Sequence, residues 1–571
     1  MMLLVQAFVG VIEEFGQDDV DCAPELKLLI SERLPATLLD VFVQLIEGQS
    51  PDGSWEAKHE TSAYAMIALS SLLVVPWAAS IRATGKKCLD SGRSYVLREM
   101  HRWEHGDFLW IEKVAYALSP LSQAYCLAAA KISIADLDIL QTSIAEPDKR
   151  LLRFFSMIEP FSRGPSWKLD ACVTQSLYSV HALRQVKLAV FPEMEKTSNH
   201  EYLQFIPFTW IGCNHFYNCG ASPELLWEMM LISMLNFQVD AYMETVVGID
   251  LLENLGEVRH VIDRLCRKST QVRLKRSRED EEDHTNRRSE KRRGEPILAD
   301  DPASESTAQS NGPQSFAATR DAENTPPSSE ASTTSLREVE IVLCTFTTHI
   351  LQHPFVLRSP QYLQSWLCRS LHQFLNAHIT HIEDCTLLSS NGFPATTFYN
   401  WVHTTSADHT SCPFSFVFYL CLMHGRRAPQ GRPCDDLFPG AQFKYLLEDA
   451  CRHLATMCRQ HNDYGSVARD RKEKNLNSID FPEFQEQSKQ LRDRSAKSPN
   501  QDAESKAKEC LLEIAEYERV GLNLAMEGIR KKVDAGLMSE LKLFCEVTDL
   551  YGRIYLARDI GVQRKAKKSA V

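Results

Sequence analysis

Two clusters of oxygen-bearing side chains carry the chemistry legible in this sequence. In Asp240-Ala241-Tyr242-Met243-Glu244 the two acids stand four residues apart. On a helix that spacing places Asp240 and Glu244 on one face about one turn apart, where paired carboxylates can share divalent cations with a diphosphate. An isolated pair of this kind is more often a solvated acidic face. Here Phe237, Val239 and Met243 surround it, which argues against exposure on every side. The second cluster is Asn462-Asp463-Tyr464-Gly465-Ser466-Val467-Ala468-Arg469-Asp470. Asn462, Ser466 and Asp470 fall at i, i+4 and i+8 and form one stripe of oxygen ligands along a helix, with Arg469 beside them to meet a phosphate oxygen. Hard oxygens of mixed charge suit Mg²⁺ that keeps waters and is shared with substrate phosphates. This triad is the more specific of the two. The downstream run Asn475 to Phe484 has no metal-ligand pattern of its own and reads as helix end and turn.

The elements that must position these residues are helices. Apolar residues recur at three and four over Pro24–Glu47, His59–Leu73 and Trp110–Lys131, and strand-type alternation is nearly absent. Gln49-Ser50-Pro51-Asp52-Gly53-Ser54-Trp55 reads as a tight turn whose Trp lies across helix ends, a device suited to barrels of paired helices. A second helical region begins near Glu201. Ser222-Pro223-Glu224 is a start signal with an N-cap, Pro at N1 and an early acid, and the periodicity predicts one helix from there to about Leu255 carrying the first acid pair. From about Lys268 to Leu336 the composition turns to Ser, Thr, Pro and mixed charge, which cannot bury enough apolar surface to order itself and reads as a disordered insertion. Its basic runs at 275–278 and 291–293 interleave with acids, the pattern of a solvated segment more than of a targeting signal. A shorter polar link is expected at Ser488–Ser505.

The 571 residues are enough for two or three domains with a deep core. With 75 acidic against 63 basic residues the net charge is -12, which removes the positive field that non-specific nucleic-acid binding needs. The longest apolar stretches, such as Ala65–Ala79, fall short of the roughly 18 residues of a spanning helix. Met1–Ile12 lacks a basic n-region and runs into Glu13-Glu14, so a cytoplasmic protein is expected. Seventeen cysteines with no CxxC pair give neither a zinc site nor a disulfide framework.

Several segments together resemble the fungal bifunctional diterpene cyclases of the copalyl diphosphate and kaurene synthase type. They are the PDGSW turn with Glu60-Thr61-Ser62-Ala63-Tyr64-Ala65, Leu109-Trp110-Ile111-Glu112-Lys113, Ser122-Gln123-Ala124-Tyr125-Cys126-Leu127, His378-Ile379-Thr380-His381-Ile382-Glu383-Asp384, the stretch around Asn462–Asp470, and Asp549–Asp559. The resemblance implies an all-α fold: a helical barrel for class II, protonation-initiated cyclisation with an Asp-x-Asp-Asp acid, then a helical bundle for class I chemistry in which Mg²⁺ draws off diphosphate. Carried over by motif, Asp240 and Glu244 match the outer carboxylates of the aspartate-rich motif. Asn462, Ser466 and Asp470 match the second metal triad, and Arg469, Tyr555 and Arg558 are the expected substrate contacts. With the insertion subtracted, about 150 residues separate the motifs, a plausible gap for facing helices of one bundle. Trp210, Phe237, Tyr242, Phe398, Tyr399, Trp401, Phe414 and Phe416 are candidates for the aromatic cavity wall.

Two departures shape the expectation. No Asp-x-Asp-Asp occurs, the nearest string being Asp18-Asp19-Val20-Asp21 in reversed order, and Met1–Phe8 resembles a segment that in the family follows the class II acid. This predicts a class II-type barrel at 1–195 truncated before its acid, and a class I domain at 196–571. Ala241 stands where the family has a second acid, which weakens metal binding without removing the outer ligands. The expected protein is a Mg²⁺-dependent class I diterpene synthase acting on a C20 prenyl diphosphate, copalyl-type or geranylgeranyl. A fragment of a bifunctional synthase and a non-enzymatic relic are the alternatives. Product skeleton and oligomeric state are not encoded in any motif.

Overall fold

The computed structural model describes residues 1–571 apart from 16–22, 108, 112–113, 134–137, 141–144, 187–189, 192–200, 268–334, 393, 429–435, 485–498 and 559–571. The architecture is all-α, with one two-stranded antiparallel hairpin pairing Leu109–Ile111 with Val114–Tyr116. The hairpin overturns the helix expected over Trp110–Lys131, where helix is confined to Ser119–Ala130 with Pro120 in its first turn. Leu-Trp-Ile and Val-Ala-Tyr are rich in β-branched and aromatic residues, and three-residue runs are too short for periodicity to decide between helix and strand.

Apolar side chains gather into two large cores. The first draws on the helices Met2–Phe15, Leu34–Glu47, His59–Leu73, Ala79–Arg98 and Ser119–Ala130, with Phe42, Leu69 and Leu72 fully buried among them. The second runs from Leu151 to Ile554. The helix Ser166–Val186 serves both, giving Ala171 to the first and Leu169, Cys172 and Val173 to the second. Polar groups seal the junction: Lys168 is ion-paired with Glu47, and His215 Nε2 lies 3.1 Å from Gln175 Oε1 and 3.5 Å from Asp40 Oδ1.

The PDGSW turn forms as its residues require. Gly53 has φ 93°, and a Cβ there would lie 2.4 Å from the Ser91 carbonyl oxygen, so no other residue fits. The backbone N–H and hydroxyl of Ser54 donate to Asp52 Oδ1 at 3.0 and 2.7 Å. Trp55 donates its Nε1–H to the Leu45 carbonyl at 2.8 Å, closing over the end of the preceding helix.

Ser222 caps the helix Pro223–Tyr242 by accepting from the Leu225 N–H, as the start signal predicts. The single helix expected as far as Leu255 is interrupted instead. A π-helical turn spans Met243–Val247, followed by Gly248–Asp250, a 3₁₀ turn at Leu252–Asn254 and a new helix at 255–267. The insertion lies outside the described residues up to 334. Ser335 then opens the helix Leu336–Leu351 through a reciprocal capping box with Glu338. The polar link expected at Ser488–Ser505 ends sooner, because helix Pro499–Arg530 begins with proline at position 499. The second acid-amide cluster lies on a 33-residue helix, Ala441–Glu473, which packs along Pro499–Arg530 and Ala535–Ala557. Among the described residues no helix is long and apolar enough to cross a membrane.

Candidate active site

A cleft of about 1310 Å³, its open mouth included, lies between the first-cluster helix Pro223–Tyr242 and the second-cluster helix Ala441–Glu473. Asp240 and Glu244 line it from one side, and Asn462, Arg469 and Asp470 from the other. The four-residue spacing therefore delivers both acids to one face, although Glu244 belongs to the π turn. A π turn inserts an extra residue into the helical ladder, and such turns recur at functional sites. Ala241 lines the cleft as well, between the acids.

Asp240 keeps 46% of its side-chain surface exposed, on the cleft side. Its confined setting, and next the adjacent Glu244 carboxylate, raise its pKa to about 7, against the pull of Arg459 and Arg469. Asp470 is buried and likewise pushed up to about 7, by burial first and by Asp463 second. Ser466 is sealed beneath the surface and does not line the cleft: its hydroxyl donates to Asp470 Oδ2 at 2.5 Å. Asn477 Nδ2 donates to that same oxygen at 2.7 Å and to the Asp463 carbonyl at 2.9 Å. The helix-end reading of Asn475–Phe484 thus holds for the backbone, with Asn477 capping a 3₁₀ turn, while its side chains brace the acids above.

Asp463 is the hub of this network. Fully buried, it accepts from Arg459 Nη1 at 3.1 Å and from the backbone N–H and hydroxyl of Ser478 at 2.9 and 2.6 Å. Arg459 also donates to His409 Nδ1, and Trp401 stands 5.9 Å from its guanidinium. The His378 ring packs edge-on against His409 at 4.2 Å between centroids and reaches within 3.5 Å of Asp240 Oδ1. Burial first, and Arg459 second, depress the His378 pKa to about 3, so its ring is neutral. Asp463, Arg459, His409, Asn477 and Ser478 were not singled out by type and spacing. Asp463 and His378 do stand inside segments that carried the family resemblance, which was the one available signal; Arg459 and His409 gave none.

The cleft lining also carries an apolar and aromatic set. Trp210 and Phe237 belong to it as expected, joined by Met229, Phe544, Val547, Tyr551 and Tyr555. Trp210 is locked by donation of its Nε1–H to Ser233 Oγ at 3.0 Å. The other six candidates for the wall lie elsewhere. Tyr242 is buried against Phe191, Phe414 and Phe416 sit in the large core, Phe398 and Trp401 pack in a small cluster with Phe481 and Phe484, and Tyr399 is 73% exposed. Tyr555 reaches the cleft because Gly465 lets the C-terminal helix approach: a Cβ at Gly465 would lie 2.3 Å from the Tyr555 carbonyl oxygen. Arg558 lies outside the lining, ion-paired with Glu201 near the surface.

The fold is all-α, and two of its helices bring carboxylates and an amide to the lining of one cleft that also holds aromatic side chains. Comparison with known proteins narrows the class. No family model matches the chain. It is 30% identical to pimaradiene synthase pbcA of Emericella nidulans over 97% of its own length and 54% of that protein, and 30% identical to ent-kaur-16-ene synthase of Fusarium fujikuroi over 99% of its length and 55% of that protein. It is 25% identical to phyllocladan-16-alpha-ol synthase of Phomopsis amygdali over 98% of its length. The chain is a homologue of the fungal diterpene synthases, and it spans about half the length of these relatives.

Proposed function

We propose that this chain is a class I diterpene synthase that ionises and cyclises a C20 prenyl diphosphate, copalyl-type or geranylgeranyl, and releases diphosphate. What supports the reading is that Asp240, Glu244, Asn462 and Asp470 line one cleft together with the aromatic side chains Trp210, Phe237 and Phe544. The donor set fits Mg²⁺: it is all oxygen, of mixed charge, and partly open to water. When bound there, Mg²⁺ would neutralise the diphosphate as it leaves. Asp240, Glu244, Asn462 and Asp470 would hold it, with Ser466 acting through its hydrogen bond to Asp470. Arg469 and the buried Arg459 add fixed positive charge on the diphosphate side. Trp210, Phe237 and Phe544 offer aromatic faces to the carbocation and exclude water from it. Tyr555 belongs to the substrate pocket on the same reading; Arg558 would reach substrate only by leaving Glu201. We assign this chemistry to a domain at 196–571, and the segment 1–195 to the class II-type helical barrel.

The test is turnover. With Mg²⁺, copalyl diphosphate or geranylgeranyl diphosphate is expected to give a diterpene detectable by gas chromatography and mass spectrometry; EDTA abolishes it and added Mg²⁺ restores it. Asp240→Ala or Asn462→Ala should lower turnover at least a hundredfold, about 2.7–4 kcal/mol in the barrier, with thermal unfolding unchanged. A non-enzymatic reading is favoured by Ala241, buried between the acids where a third carboxylate would otherwise project. It forecasts no diphosphate release from either substrate at any Mg²⁺ concentration.

A further inference from the structure

His378 stands outside the roles assigned so far, yet its ring nitrogen lies 3.5 Å from the first acid. It projects from the helix Gln361–Asn391 and is 1% exposed, and its Nε2 has no hydrogen-bond partner of normal geometry. That nitrogen faces Asp240 Oδ1 at 3.5 Å. Among the described residues no side chain donates a hydrogen bond to the Asp240 carboxylate, and the neighbouring position that could have supplied a second acid is Ala241. A shift of about half an ångström would close the Nε2 to Oδ1 separation to hydrogen-bond length.

The ring has little freedom to be anywhere else. Phe374 packs edge-on against one side at 4.7 Å between centroids and His409 against another at 4.2 Å. His409 is itself held by Arg459, which is held by Asp463. A continuous line of contacts therefore runs from the second cluster to the first: Asp463, Arg459, His409, His378, Asp240.

A different use of the same atoms is direct ligation, since Asp240, His378 and His409 each offer one ligand atom within 4.8 Å of the others. The tautomer of His409 argues against it. Arg459 donates to His409 Nδ1, so the imidazole lone pair is occupied there and the ring proton sits on Nε2. A histidine that ligates through one nitrogen needs an acceptor, not a guanidinium, at the other.

We propose that His378 is a positioning residue: its Nε2–H holds Oδ1 of Asp240, turning the other carboxylate oxygen toward the cation, and the His409, Arg459 and Asp463 line ties that orientation to the second cluster. The inference rests on the class I reading and extends it to a residue that touches neither cation nor substrate. Outer-shell partners of this kind typically change metal affinity by 10–100-fold.

The test uses Mn²⁺ in place of Mg²⁺, titrated with inorganic pyrophosphate onto the full chain and followed by electron paramagnetic resonance. His378→Phe keeps a buried ring and removes the donor; its half-saturating Mn²⁺ concentration should rise 10–100-fold while cation-free thermal unfolding stays close to the parent's. His378→Gln places an amide N–H near the same point and should bind within about threefold of the parent, whereas the shorter His378→Asn should resemble His378→Phe. The Gln and Asn pair decides the matter if the Phe variant does not fold. Equal affinity in parent and His378→Phe, or Gln as weak as Phe, overturns the proposal. So does a Co²⁺ spectrum of nitrogen ligation in the parent that is lost with His378→Phe. A parent that binds no Mn²⁺ with pyrophosphate would fell the class I reading itself, a different result from a parent that binds and is indifferent to residue 378.

Discussion

Asp240 and Asp470 line one cleft from two different helices, and loss of hydration is the leading cause that lifts both carboxyl groups to a pKa of about 7. Asp470 is buried outright, while Asp240 is confined by the cleft with 46% of its side chain exposed. Their surroundings differ in kind. Around Asp470 the second wall is a closed hydrogen-bond network: Ser466 and Asn477 on its own carboxylate, Asn477 again on the Asp463 carbonyl, and Ser478 and Arg459 on the Asp463 carboxylate. Around Asp240 the first wall offers open cleft, a π turn immediately after it and one histidine at 3.5 Å. One wall is built before any cation arrives, and the other is left to be completed by it. A preorganised network spends its polar groups on one another, whereas an under-bonded carboxylate keeps its oxygens for an incoming charge.

The largest effect should come from breaking the rigid wall at its hub. Asp463→Ala leaves the Arg459 guanidinium buried without its carboxylate and strips the Ser478 N–H of its acceptor. Removing one partner of a buried pair typically costs about 3–5 kcal/mol, so urea denaturation should show a loss of that order. A loss below about 1 kcal/mol would mean the second wall is no more preorganised than the first.

A smaller effect concerns protons. The folded-state pKa of Asp470 lies near 7, above the ordinary 3.8, so the folded protein holds this proton more tightly than the unfolded chain does. The stability this group contributes is full below pH 4 and is lost as pH rises through 7. Other groups titrate over the same range, so the quantity to measure is the difference between the parent and Asp470→Asn, which mimics the protonated acid. In EDTA the variant should gain about 1–3 kcal/mol relative to the parent between pH 4.5 and pH 8. Mg²⁺ with pyrophosphate should shrink that gap by stabilising the parent's charged form. A gap that does not change with pH would show that Asp470 is ionised throughout and that its wall is wetter than its burial implies.

The contrast between the walls also explains what was legible in the sequence. Asp240, Glu244, Asn462, Asp470 and Arg469 were readable because helical spacing is local: four or eight residues decide which face a side chain takes, and both helices are long. Some partners within the second wall are local, Ser466 and Asp470 or Arg459 and Asp463 standing four residues apart, but the longer-range ones are not. Arg459 meets His409 across 50 residues, Asn236 Nδ2 meets Ser415 Oγ across 179, and no period links them. The aromatic lining failed for the same reason, since only Trp210 and Phe237 of eight candidates reach the cleft. The π turn at Met243–Val247 left no mark because its residues are as apolar as a helix needs. The hairpin at Leu109–Tyr116 was hidden by brevity.

The smallest expected effect tests whether the first wall is self-sufficient despite the insertion that follows it. The helices on either side, 255–267 and Leu336–Leu351, already lie together: Arg264 is ion-paired with Glu340 at 3.2 Å, and Val258, Val261, Ile262, Val339 and Leu343 are buried in the same core. Their ends are thus held by packing, and the composition of 268–334 offers no core of its own to add. Lengthening or shortening such a connection changes loop-closure entropy only slowly, by about 0.6 kcal/mol per doubling. Replacing 268–334 with a Gly/Ser linker of about ten residues should therefore move thermal unfolding by the equivalent of under about 1 kcal/mol and leave turnover within about twofold. A large fall in turnover with unfolding unchanged would show that the insertion reaches the cleft and completes the under-bonded wall, which would make the asymmetry between the two walls a property of the helices alone.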